Sequence, residues 1–123
     1  MEKRFHQLLR EKMDAYVHNV YRVSKNFPRE EQYGATSQLR RATLSVVLNY
    51  IEGFARRKRL VKINFFEISF GSLQESKYLL SFALKENWIK EYDHDKTMLI
   101  AGEISAMLWK TLTNLDMNTL HDS

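Results

Sequence analysis

The chain has no cysteine, one proline and four glycines among its 123 residues. Without cysteine it forms neither a disulfide nor a thiolate metal site, a usage in keeping with a reducing cytosol. With so few breakers, long helices are allowed nearly everywhere. An uninterrupted apolar run of about 18 residues, the length a bilayer-spanning helix needs, is also missing. The opening MEKRFHQLLREK interleaves charged and apolar residues and has neither the apolar core nor the cleavage site of a secretory signal. A cytoplasmic protein is therefore expected, with no membrane partner.

What is present fits one ordered domain over residues 1–123, because 44% of the residues are hydrophobic and 28% are charged. The charge is unevenly spread. From Arg40 to Lys62 seven basic residues face the single acid Glu52, a local charge of +6 on a chain whose total is +4. Residues 1–39 carry +2 and residues 63–123 carry −4. Concentrated positive charge of this kind points to a polyanionic partner.

Phe5, Leu9, Met13, Tyr16, Val20, Val23 and Phe27 step by three or four, and Pro28 ends the pattern, which predicts a first helix near 3–26. Thr36 or Ser37 is the expected cap of a second helix over 36–57. Phe66, Phe70, Leu73, Leu80 and Leu84 mark a third over 61–88. Asp93 or Asp95 is the expected cap of a fourth over 94–118, with Ala101, Ile104 and Leu108 on its seam. No strand-like alternation competes. Four long helices with short connectors pack most simply as an antiparallel up-down-up-down four-helix bundle.

The second helix is apolar over a wide arc. Leu39, Ala42, Val46, Tyr50 and Phe54 form one face, and Leu44, Val47, Leu48 and Ile51 extend it well round the cylinder. Either this helix is central in a thick monomeric core, or its second face is buried against other copies of the chain. The second reading is preferred here.

Residues suited to chemistry are few. His6, His18, His94 and His121 are scattered, and no two have the spacing that aims both at one metal. Glu91 and His94 match one Glu-x-x-His pair, whereas a carboxylate-bridged di-iron bundle needs two, and this one falls at the expected turn between helices three and four. No nucleophile, base and orienting group occur together, and no phosphate-binding glycine loop is present, so no enzyme, metal or cofactor is expected. Gly53 and Gly71 lie inside expected helices, where close approach of a neighbouring helix would explain them. Glu52 precedes Arg56 by four residues, a favourable ion-pair spacing, and shares a narrow polar stripe with Asn49 and Arg41 that suits a structural network.

The run Arg56, Arg57, Lys58 and Arg59, followed by Lys62, is the strongest candidate for phosphate contacts, with Arg40 and Arg41 able to join through folding or oligomer symmetry. A solvated helix end is the competing use, since cations suit the C-terminal dipole of the second helix. Phe54, Phe65 and Phe66 lie nearby, but their spacing suits the core better than base stacking.

Phe27-Pro28, Glu31, Tyr33-Gly34, Ser37 through Ala42, Ser45, Asn49, Glu52-Gly53, and later Phe66, Gly71-Ser72-Leu73 and Glu75 form a long pattern. It resembles the small four-helix-bundle proteins encoded in intervening sequences of bacterial 23S ribosomal RNA genes, over about residues 5–115. The resemblance implies a bundle assembled into a ring-like homo-oligomer, a pentamer, of unknown function and without established catalysis. More distant bundle relatives, accessory proteins of diversity-generating retroelements, resemble basic pentamers that bind nucleic acid and partner a reverse transcriptase. Ala35 and Tyr50 depart from the residues common in the family. Arg40, Arg41, Asn49, Glu52 and Gly53 fall on the pattern, and Arg57 to Arg59 lie beyond its firm part. The resulting expectation is a non-enzymatic oligomer binding RNA or DNA without strong sequence preference. The alternative is a protein-protein accessory module that touches no nucleic acid.

Overall fold

The computed structural model describes the backbone of residues 2–122 and the side chains of residues 2–117. It is built from α1 (Glu2–Ser24), a 3-10 turn (Arg29–Glu31), α2 (Ala35–Ala55), α3 (Arg59–Lys85) and α4 (Glu91–Asp122), with no strand among the described residues. Each helix packs against its neighbours in chain order, and α1 closes the bundle against α4. Among the described residues no helix is long and apolar enough to cross a membrane.

The three-and-four periodicity explains the core. Leu9, Met13, Tyr16 and Val20 of α1 are buried, and Val46 and Tyr50 of α2, Leu73 and Leu80 of α3, and Ile104 and Leu108 of α4 meet them. Each such side chain contributes roughly 1.5–3 kcal/mol on leaving water. Buried hydroxyls are satisfied rather than excluded. Ser69 Oγ donates to the Val46 carbonyl at 2.6 Å, joining α3 to α2. Ser76 Oγ donates to the Leu73 carbonyl, which leaves the Tyr16 hydroxyl to donate to Ser76 Oγ at 2.7 Å across the bundle. Burial pushes that hydroxyl's pKa up to about 12.

The helix ends differ from the expected ones because their caps come from elsewhere. Gly34, not Thr36 or Ser37, precedes α2, and Glu31 Oε1 accepts from the Ala35 N–H at 3.1 Å. At the end of α3, Asn87 adopts a left-handed φ of 63°. Trp88 N–H then donates to Ala83 O at 2.9 Å and Asn87 N–H to Leu84 O at 3.0 Å, a Schellman stop that ends the helix at Lys85 instead of 88. α4 begins at Glu91, so Asp93 lies within its first turn and Asp95 just beyond it, and Glu91 and His94 are helical rather than in a turn. Asp93 pairs with Arg22 of α1 at 3.4 Å.

Candidate functional site

The candidate site is the corner where α2 hands over to α3. α2 stops at Ala55, two residues before the expected end, and Arg56 is already extended at φ −81° and ψ 150°. Lys58 takes the position before α3, also extended, and its side chain makes no cap hydrogen bond. The basic run therefore does not close the second helix. It spans a tight corner and enters the first turn of α3, which contains no acid.

The fold separates the seven cations into two groups. Arg56 pairs with Glu52 one turn earlier, and its guanidinium lies 5.3 Å from the centre of the Phe65 ring. Lys62 Nζ reaches back to donate to the Phe54 carbonyl at 2.9 Å and to the Gly53 carbonyl at 3.3 Å, so it closes the C-terminus of α2. Arg40 sits at the other end of α2, where its Nε donates to Ser24 Oγ at 2.9 Å and its guanidinium lies 4.7 Å from the Tyr21 ring centre. These three serve the bundle. Arg41, Arg57 and Lys58 are exposed, and their side chains make no hydrogen bond or ion pair among the described residues; Arg59 is half-buried. The fold does not bring Arg40 and Arg41 to the corner, since about 15 residues of helix rise, roughly 22 Å, separate them from it.

The polar stripe divides into separate contacts: Glu52 pairs with Arg56, Asn49 bonds along its own helix, and Arg41 joins neither. Asn49 Nδ2 donates to the Ser45 carbonyl and to Ser45 Oγ, both at 2.9 Å, and the Ser45 and Ser72 hydroxyls share a hydrogen bond at 2.7 Å. This fixes the register of α2 against α3. Gly53 fits the same contact: a Cβ there would stand 2.7 Å from Phe66 Cε1 and 3.0 Å from Phe65 Cβ. Gly71 does not, because a Cβ at that position meets nothing within 4 Å. Close approach explains the first glycine and not the second.

Two placements escape the sequence reading. Phe54, spaced as a core residue, is 49% exposed at the last turn of α2. His6 lies against it with ring centres 5.2 Å apart, and its Nδ1 shares a hydrogen bond with the Tyr50 hydroxyl. Burial holds the His6 imidazole below its usual pKa range; nearby Glu2 opposes this and Lys62 adds to it. Burial also pushes the Tyr50 hydroxyl well above the ordinary tyrosine range. The available signal was topological: in an up-and-down bundle the start of α1 shares an end with the α2–α3 corner.

The outer arc of α2 remains uncovered in the single chain. Leu44 is 38% exposed and Leu48 60%, so a thick monomeric core does not account for the wide apolar face. Together with Arg41, Ile51 and Ala55 they follow a three-and-four spacing, the repeat by which one helix packs on another. The Ser45–Ser72 register sets Leu48 level with Ile68 of α3, itself 44% exposed.

Among the described residues no group of three His, Asp or Glu side chains is placed to hold a metal. No curated protein is similar enough to match this chain. A crystal structure of a protein of unknown function from the S23 ribosomal protein family of Bacteroides thetaiotaomicron superposes with a TM-score of 0.78 at 17% identity, covering 85% of this chain and 97% of that one. At that identity the likeness speaks for the fold. The family model described as 23S rRNA-intervening sequence protein matches residues 7–110, a span that takes in most of α1, the 3-10 turn, all of α2 and α3, and most of α4. With four helices in this order, and with Asn49 and Gly53 both on the side of α2 that packs on α3, the chain belongs to the 23S rRNA-intervening sequence protein family.

Proposed function

We propose that the protein is a cytoplasmic, non-enzymatic homo-oligomer that binds RNA or DNA through its α2–α3 corners, gathered onto one rim by ring symmetry. The observation that carries this reading is a helix start with the wrong sign of charge. The N-terminus of a helix bears about half a positive charge and favours acids, yet α3 opens on Lys58 and Arg59 with no acid and no side-chain cap. Such an arrangement is unfavourable in isolation and becomes favourable when an anion arrives. The exposed arc of α2, with Leu44, Leu48 and the neighbouring Ile68 of α3 open to solvent, supports assembly, because a contiguous exposed apolar face marks an interface, and a ring forms when that face meets a different face of the next copy. In a ring of five, Arg57 and Lys58 together present about ten exposed cations, and repeated weak contacts combine through effective concentration.

Affinity for a short duplex should fall steeply with salt, because each neutralised phosphate adds roughly −0.9 to the log-log slope. One corner with two contacts gives a slope of roughly −2, and a steeper one signals several copies engaged. Replacing Arg57 and Lys58 by glutamine should remove about two from the slope for each engaged copy, uniformly across sequences. A flat salt response in the wild type counts against phosphate contacts and favours an acidic protein surface as the partner.

Lys58→Asp separates binding from stability. The backbone at this position has the extended conformation of a helix cap, so an aspartate can accept from the free N–H groups of the first turn of α3. The folded state should gain roughly 1 kcal/mol from the cap and the dipole. Nucleic-acid affinity should drop at the same time, more than for Lys58→Gln. Thermal unfolding and fluorescence anisotropy on the same samples check the two signs, and a loss of stability would mark Lys58 as a structural residue.

A further inference from the structure

At the end of the bundle that carries the α2–α3 corner, a groove of about 820 Å³ lies among the first turns of α1, the last turn of α2 and the later turns of α4. Its volume falls within the roughly 300–1,000 Å³ of small-ligand sites. The floor is aromatic, formed by Phe5, His6 and Phe54 with the buried Phe66 behind them. The rim is cationic, with Lys3, Arg4 and Lys110 on it and Glu2 the one acid among its lining residues. Lys110 Nζ stands 5.8 Å from the Phe5 ring centre and Lys62 Nζ 5.6 Å from that of Phe54, so rings and cations alternate around the opening.

We propose that this groove takes an unstacked base of a single-stranded nucleic acid against Phe54, with the flanking phosphates drawn to Lys3, Arg4 and Lys110. The protein then prefers single strands to duplex. This inference rests on the nucleic-acid reading of the neighbouring corner and adds a second kind of contact to it. Cationic tracks interleaved with aromatic faces are what a single strand needs, because every base has a π-face and every linkage a charge. The groove is continuous with the corner through Lys62, which lines the one and closes the helix leading into the other. An acyl carboxylate also matches an apolar floor with cations at its mouth. It would use one cation, however, and leave the others among Lys3, Arg4 and Lys110 without a ligand. A duplex keeps its bases paired and reaches only the charges.

The test uses the full chain with Phe54→Leu, which keeps apolar bulk and helix propensity but removes the ring, and Phe54→Trp, which enlarges it. Phe54 is half-exposed, and unchanged circular dichroism and sedimentation establish that both variants fold and assemble as the wild type does. The probes are a labelled oligothymidylate of about 12 nucleotides and a duplex of equal length, within the footprints typical of single-strand sites. Phe54→Leu should weaken oligothymidylate binding by roughly five- to a hundredfold. Duplex binding should stay within about twofold of wild type because it depends on charge. Phe54→Trp should restore the single-strand affinity. Equal losses on both ligands, or no loss on either, overturn the groove assignment while leaving the corner intact. Tight binding of decanoate that depends on Phe54, with oligothymidylate affinity unchanged, gives the groove to an acyl anion instead. If the wild type binds neither oligonucleotide, the nucleic-acid reading itself falls, and the groove with it.

Discussion

Leu48→Glu is expected to reduce the proposed ring to a single chain of 14.7 kDa and to take most of the proposed nucleic-acid affinity with it. In the lone chain Leu48 is largely exposed, so a glutamate there should change folding stability by no more than about 0.5 kcal/mol. In an assembly packed on the α2 arc, the same carboxylate is pressed into the surface of a neighbouring copy and loses its water. Desolvating an unpaired charge costs several kcal/mol at each interface. Loss of the proposed ring would also remove its multivalent gain, which for linked weak sites reaches 10²–10⁴-fold. Sedimentation equilibrium reads the first effect and anisotropy with duplex reads the second. A variant that keeps the wild-type mass would place the interface elsewhere, and a wild type already at one chain would end the symmetry argument. Arg41 lies on the same arc and is exposed. Arg41→Gln should alter the mass far less, since Arg41 reaches water at the margin of the stripe.

The parts of this molecule that were legible in the sequence are those set by local repetition. The stripe from Leu9 to Val23 is buried as its spacing predicts, and the Asn49 and Glu52 contacts follow from residues four apart on one helix. Features set by distant groups were not legible. Thr36 has the right chemistry for a cap, but Glu31 folds back from the 3-10 turn and satisfies the first free N–H of α2. Asn87 ends α3 through a left-handed backbone that a glycine would have advertised and an asparagine does not. The most consequential difference is small in residues. Ending α2 at Ala55 rather than at Arg57 reverses the electrostatic meaning of the basic run, from cations that stabilise a helix C-terminus to cations stacked on a helix N-terminus. Phe54 illustrates a limit of periodicity. Its place on the wheel belongs to the core, but the bundle thins at its end and Tyr50 and Phe66, stacked with centres 5.2 Å apart, already fill the space below it.

Gly53 and Gly71 look alike in the sequence and should respond in opposite ways to the same chemistry. At Gly53 an added Cβ meets Phe66 at 2.7 Å, a distance side-chain carbons essentially never adopt, and Phe65 Cβ at a tight 3.0 Å, while Phe66 is 2% exposed and stacked on Tyr50, which leaves it little room to move. Gly53→Ala gains about 1 kcal/mol of helix propensity and loses roughly 1–3 to overpacking, for a net loss. Gly53→Val adds two more methyls and a stiff χ1, with little propensity gain, and should cost about 3 kcal/mol or more. For a chain of this size that lowers the melting temperature by on the order of 10–15 °C. Gly71 faces open space, so Gly71→Ala should instead raise stability by roughly 0.5–1 kcal/mol. Both are best measured in the Leu48→Glu background, where unfolding involves one chain and the melting point does not depend on concentration. In the wild-type assembly Gly71→Ala becomes a probe of the neighbour. Stabilisation there as well would leave the Gly71 face of α3 open to solvent, whereas destabilisation confined to the assembly would show that another copy occupies the space the single chain leaves empty.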